Sequence, residues 1–369
     1  MKSLNIAYNP RIDQLRWLAA TIVFLFHFQL EYRGAGGTWP DKPWMGLINE
    51  GHTGVGLFFT LSGFLFMQIA LVQQQIVYRD FLRNRVLRIV PLFLTIFLVA
   101  TSIGRDKFQP QDLLYFFATN LGLAPTSGTV ITGAAWTISV EFMFYLVFPF
   151  LARFALERGV GYLGRLLVLM VFFKLAAYTV NDNSTLMYFS TFVGRFDQFL
   201  IGMAAAMLLQ SRRALAERHA PWLLALAAAA VVGATGWMHT VAPFGATPKS
   251  SFWISWSLLE SGVWAFFIVA WVSFGPRMPA LLERALSQGG KVSFSFYLLH
   301  MGVLHLLAVK AGLLHPTGLA WLDAAIMLAA AYGITWALAT ISYNTIEEPF
   351  LRMRRSYGTK AAAQTSLAG

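Results

Sequence analysis

The chain alternates between long apolar stretches and short polar connections. The apolar stretches run over 15–32, 53–72, 87–102, 134–154, 163–180, 188–209, 221–240, 252–274, 292–309 and 319–344. Most are near the length that one helix needs to cross a bilayer. They are rich in Leu, Ala and Phe and do not alternate, which favours helices over the short alternating strands of a membrane barrel. Residues 111–120 are too short to cross and are expected near the interface. No small-residue cleavage site closely follows the first stretch, so it reads as a retained span rather than a signal peptide. The pattern predicts an all-α, polytopic integral membrane helix bundle of about ten transmembrane helices.

Composition agrees with that reading. The chain is 57% hydrophobic and only 12% charged, about half the charge of an average soluble domain. A soluble core of this size could not hide so much apolar surface. A net charge of +11 would suggest nucleic acid in a soluble protein, but the placement of the cations gives a simpler account. If the N-terminus is cytoplasmic, 20 Lys and Arg fall in cytoplasmic segments and 6 in outside loops. This is the positive-inside pattern, and it predicts that both termini are cytoplasmic. It also removes the nucleic-acid reading. Cysteine is absent, which excludes disulfides, thiol nucleophiles and cysteine metal sites. The expected organisation is one membrane-embedded domain over 12–350 and a short, disordered cytoplasmic tail over 351–369.

Ionisable residues inside spans need a reason to be there. His27 lies in the outer half of the first span, and Arg16 lies near its cytoplasmic end. Eleven residues separate them, about three helical turns, so they share a face roughly 16 Å apart. Asp13 can pair with Arg16 across one turn. A neutral imidazole at His27 can accept a proton near physiological pH, or it can simply hydrogen-bond a neighbouring helix. Arg85 and Arg88 share a face at the inner mouth of the third span. They can bind the phosphates of a cytoplasmic ligand or anchor the span on lipid phosphates. Glu141 should face the bundle interior with Tyr145, where it can orient an imidazole, position a hydroxyl or hold an arginine. Gly54, Gly56 and Gly63 suit close helix approach. His52 is expected at a solvated outer boundary, Ser62 has no evident base, and His300 is a second intramembrane imidazole. Arg195, Asp197 and Glu260 require partners. No zinc, iron, dinucleotide or phosphate-loop pattern is present.

In order, the segments 12–19 with His27, 54–64, 81–91, 136–145, 293–300 and 342–350 resemble landmarks of the acyltransferase-3 family of bacterial membrane O-acyltransferases, which modify O-antigen and other glycans. The resemblance implies that His27 is catalytic, that Arg16, Arg85 and Arg88 are functional arginines, and that Glu141 is the family's intramembrane glutamate. Two departures stand out. The family often carries an acidic residue where Gly56 stands, and often an arginine pair where Asn84-Arg85 stands. The implied activity is transfer of a short acyl group, with acetyl favoured. The donor is cytoplasmic acyl-CoA, and the acceptor is a hydroxyl of a cell-envelope or exported glycan or glycolipid. No permanently bound cofactor and no metal are expected, and the expected location is the bacterial inner membrane. The residues alone also admit a transporter or flippase of a glycolipid precursor.

Overall fold

The computed structural model describes residues 4–104, 133, 136–245, 247–276 and 278–358. The expected interfacial segment 111–120 lies outside the described residues. The long helices are α1 (Pro10–Gly34), α3 (Thr53–Gln73), α4 (Tyr78–Ile103), α5 (Trp136–Arg158), α6 (Val160–Val180), α8 (Phe192–Val241), α9 (Phe252–Ser273), α10 (Ala280–His305) and α11 (Ala320–Ser342). Short helices α2 (Gly46–Asn49), α7 (Ser184–Ser190) and α12 (Glu348–Leu351) lie between or after them. Single π-helical turns, Leu306–Lys310 and Tyr343–Glu347, extend α10 and α11.

Eight helices among the described residues are long and apolar enough to cross a membrane. The protein is thus a polytopic all-α membrane bundle, as the hydrophobic pattern predicts. All ten expected spans overlap helices, and two features reconcile the numbers. The 50-residue α8 covers the spans expected over 188–209 and 221–240. The expected loop between them is helical apart from Arg212, whose backbone (φ −127°, ψ 23°) breaks the helix into two arms. The tenth is α1, 25 residues long, whose apolar character is diluted by Arg16, His27, Gln29 and Glu31. These are the kinds of residues that carry chemistry in a span.

Local signals set the helix ends. Asn9 caps α1, its side-chain oxygen accepting the Arg11 amide at 3.0 Å, and Pro10 occupies the first turn, where no amide hydrogen is needed. Thr191 separates α7 from α8 and caps the latter by accepting the Gly194 amide at 3.3 Å. The strongest packing joins α8 to α9 and α3, and α1 to α10. The α3–α8 crossing is close because Gly63 faces the Phe199 carbonyl and Gly202 faces the Thr60 carbonyl, with no room for a Cβ on either.

The intramembrane charges that lacked partners in the sequence are paired. Arg195 Nη1 lies 3.0 Å from Glu260 Oε2, and Lys174 Nζ donates to Asp197 Oδ2 at 2.5 Å. All four side chains are almost fully buried. Gln198 and Ser257 add further hydrogen bonds to the two carboxylates. The pairs tie α6, α8 and α9 together. The Glu260 carboxylate also fills the space beside Gly56, where a Cβ would meet it at 2.7 Å.

Residues 352–358 differ from the expected disordered tail. They fold back on the α3–α4 turn, and Tyr357 is buried against Phe81. Residues 359–369 lie outside the described residues.

Candidate active site

Helices α1, α3, α4, α5 and α10 surround a two-part cavity. The wider part, a vestibule of about 550 Å³, lies at the end of the bundle that holds Asn9, Gln68 and Arg213. The narrower part, a neck of about 80 Å³, leads from it into the bundle between Phe58, Ile138 and Tyr297. Arg16, Arg85 and Arg88 line both parts. Three cations from α1 and α4 thus meet where the vestibule narrows, Arg85 and Arg88 on one helix face as their spacing predicts.

Their electrostatics favour an anion. Arg16 pairs with Asp13 at 3.0 Å. Among the described residues, neither Arg85 nor Arg88 has a carboxylate within ion-pair distance. The Arg85 side chain is buried, its Nε has no hydrogen-bond partner, and its guanidinium lies over the rings of Phe66, Phe81 and Tyr145. Aromatic faces stabilise a cation but leave its N–H donors unused. Such a guanidinium is suited to phosphate oxygens.

Glu141 lines the neck. Of the three roles open to it in the sequence, it takes the positioning of hydroxyls, because Tyr145 Oη and Ser62 Oγ both donate to Oε1, the latter at 3.2 Å. It does not contact His27. Farther along the neck, Thr137 Oγ1 donates to Tyr297 Oη at 3.1 Å. Tyr145 was legible beside Glu141, one turn away on the same helix. Thr137 and Tyr297 carry no sequence signal that marks them out.

His27 is outside the walls of the cavity and lies behind Tyr297. The Tyr297 ring is 5.6 Å from the His300 ring, which is 4.9 Å from the His27 ring. His27 Nδ1 and His300 Nε2 are 3.0 Å apart. The remaining contacts determine the tautomers. His300 Nδ1 is 2.5 Å from the Tyr297 carbonyl, so it must be the donor there. In the neutral ring, His300 Nε2 is then an acceptor. His27 Nδ1 must carry the hydrogen, which it shares between His300 Nε2 and the Val23 carbonyl at 3.1 Å. His27 Nε2 is left with its lone pair, the state of a base.

The opposite end of the bundle corrects the expectation of a solvated His52. It is only 3% exposed, enclosed by Phe26, Phe189, Phe244 and Trp253, and lies 3.2 Å from Glu50 Oε2. Glu50 also contacts His239 Nδ1 at 2.8 Å and accepts the Phe244 amide at 3.1 Å. Burial opposes ionisation of Glu50, but the His52, His239 and Phe244 interactions outweigh it and hold the carboxyl below its usual range. No group of three or more His, Asp or Glu among the described residues could hold a metal ion.

Comparison with known proteins adds to this geometry. Residues 9–340 match the family model Acyl_transf_3, described as an acyltransferase domain. The chain is similar to acyltransferase MdmB of Streptomyces mycarofaciens, 31% identical over 152 residues, 38% of this chain and 38% of that protein. It is also similar to O-acetyltransferase OatA of Staphylococcus aureus, 23% identical over 181 residues, 42% of this chain and 27% of that protein. The matched stretches thus span well under two thirds of either relative. No solved structure matches the chain. With the family model covering residues 9–340, including Arg16, Arg85, Arg88, the neck and the histidine pair, the chain belongs to the acyltransferase-3 family.

Proposed function

We propose that the protein transfers a short acyl group, acetyl in the first instance, from coenzyme A to a hydroxyl of an envelope or exported glycan. The observation that carries this reading is the arginine-ringed cavity whose neck ends at Tyr297, next to the His27–His300 pair. Family membership and the relatives named as acyltransferases support acyl transfer as the chemistry. In this reading the vestibule faces the cytoplasm of a bacterial inner membrane. Arg16, Arg85 and Arg88 hold the donor's phosphates, and the pantetheine arm threads the neck. The acceptor reaches His27 from the other side.

His27 Nε2 takes the proton of the acceptor hydroxyl, and the oxygen attacks the thioester carbonyl. The carbon–sulfur bond then breaks, and the leaving thiolate recovers the proton from the imidazolium. A base of this kind contributes typically about 10²–10⁴-fold to a rate. His300 accepts the Nδ1 hydrogen throughout, orienting the ring. Glu141 holds the Tyr145 and Ser62 hydroxyls along the donor's path, acting as a positioning group.

Mass spectrometry of envelope glycans from cells with and without the gene tests this reading. The expected result is a glycan that loses the mass of one acyl group when the gene is removed. Unchanged glycan masses with altered glycan export would favour a transporter instead.

A further inference from the structure

The segment after α12 supplies part of the vestibule wall, because Arg354 and Tyr357 line it with Arg16, Arg85 and Arg88. We propose that Arg354 is a fourth phosphate-binding arginine of the donor site, delivered by a C-terminal strap that Asn84 fastens, and that its ligand is the nucleotide phosphate end of the coenzyme A thioester. This rests on the donor reading above.

The strap is held by specific backbone bonds. Asn84 Nδ2 donates to the Arg355 carbonyl at 2.5 Å, and the Arg355 amide donates to Asn84 Oδ1 at 3.0 Å. The same amide side chain therefore clamps both polar groups of the residue next to Arg354. The Val77 amide donates to the Tyr357 carbonyl at 2.8 Å, and the Tyr357 amide donates to Asn5 Oδ1 at 3.0 Å. Gly358 completes an antiparallel bridge with Ile76. These contacts explain why position 84 holds asparagine beside Arg85. An arginine there could not accept the Arg355 amide.

Arg354 itself turns back toward its own helix end, Nε donating to the Leu351 carbonyl at 3.0 Å. Burial and then the nearby Arg88 and Arg85 push its pKa down to about 10. A partly buried guanidinium held among like charges favours an anion that all of them can share. Coenzyme A offers both a diphosphate and a ribose phosphate at one end, and an uncharged arm at the other. The cavity has the matching order, with arginines around the vestibule and a narrow neck beyond.

Binding titrations on the purified full-length chain, in phosphatidylcholine nanodiscs, test the assignment with two probes, acetyl-CoA and acetyl-pantetheine. Arg354→Ala should weaken acetyl-CoA about tenfold or more and leave acetyl-pantetheine, which has no nucleotide, unchanged. Asn84→Ala keeps Arg354 but loosens the strap, and should weaken acetyl-CoA in the same selective way. Arg85→Ala is the reference for the donor site. Loss of acetyl-CoA binding in Arg85→Ala with none in Arg354→Ala would overturn the strap assignment while leaving the donor reading intact. Release of co-purified anionic lipid by Arg354→Ala, with acetyl-CoA binding unchanged, would overturn it in favour of a lipid phosphate. Unchanged acetyl-CoA binding in all three variants would overturn the donor reading and the strap together.

Discussion

His27 Nδ1 and His300 Nε2 lie 3.0 Å apart, joining α1 to α10 through two imidazoles. Because the Tyr297 carbonyl takes the single ring N–H of neutral His300, on Nδ1, His300 Nε2 acts on His27 as an acceptor. It keeps the His27 lone pair on Nε2.

Replacing His300 therefore tests position rather than proton transfer. Gln places an acceptor oxygen near the lost Nε2, whereas Leu has none. His300→Leu is expected to lower kcat by about tenfold to hundredfold with the KM for acetyl-CoA unchanged, and His300→Gln should recover much of the loss. Nitrogen NMR of the labelled His27 ring should show hydrogen on Nδ1 in the wild type and a tautomer mixture in His300→Leu. Equal kcat in Leu and wild type would remove His300 from the mechanism.

The Arg195–Glu260 pair is expected to hold the bundle together rather than to turn over substrate. Both groups are buried, and removing one partner of such a pair typically costs about 3–5 kcal/mol. Glu260→Ala should lower the thermal midpoint markedly, with transfer per folded molecule near normal. A variant that is fully stable but inactive would assign Glu260 to the chemistry.

The Glu50–His52–His239 cluster should respond to acid. The folded Glu50 carboxyl titrates below its usual 4.5 because His52, His239 and the Phe244 amide outweigh its burial. A depressed carboxylate stabilises the fold above its unfolded pKa, and that contribution is lost as pH falls through the lower folded value. Thermal midpoints of the wild type should therefore drop below pH 4.5 more steeply than those of Glu50→Gln, which should already be less stable at neutral pH. Parallel pH profiles for the two proteins would contradict this.

The distribution of loop cations predicts the sidedness. Single cysteines at Lys42 and Lys249 should react with an impermeant thiol reagent from outside, and those at Arg79 and Arg213 should not. The natural absence of cysteine keeps the background clean. Labelling of all four from one side would invalidate the topology, and with it the cytoplasmic donor.

Much of this was legible in the sequence because a bilayer imposes a length on each helix and a reason on each buried charge. The spans, the shared face of Arg85 and Arg88, and the shared face of Glu141 and Tyr145 are local consequences of helical spacing, whereas the meeting of Arg16 with Arg85 and Arg88 was implied only by the family resemblance. The pairs His27–His300, Arg195–Glu260 and Lys174–Asp197 were not, because each joins helices far apart in the chain. The helical passage through Arg212 was hidden by a charge cluster that reads as a loop. The strap was missed because residues 352–358 are polar and lack periodicity, and only their backbone contacts with Asn84, Val77 and Asn5 order them.

In the proposed reaction His27 takes the proton of the acceptor hydroxyl. His27→Gln isolates that step, since an amide keeps hydrogen bonding but cannot act as the base. The measurement is acylated glycan formed per unit of folded protein in membranes, with acetyl-CoA binding followed in parallel. Transfer should fall by at least about a hundredfold, while the protein still inserts, folds and binds acetyl-CoA as the wild type does. Near-normal transfer in His27→Gln would contradict it.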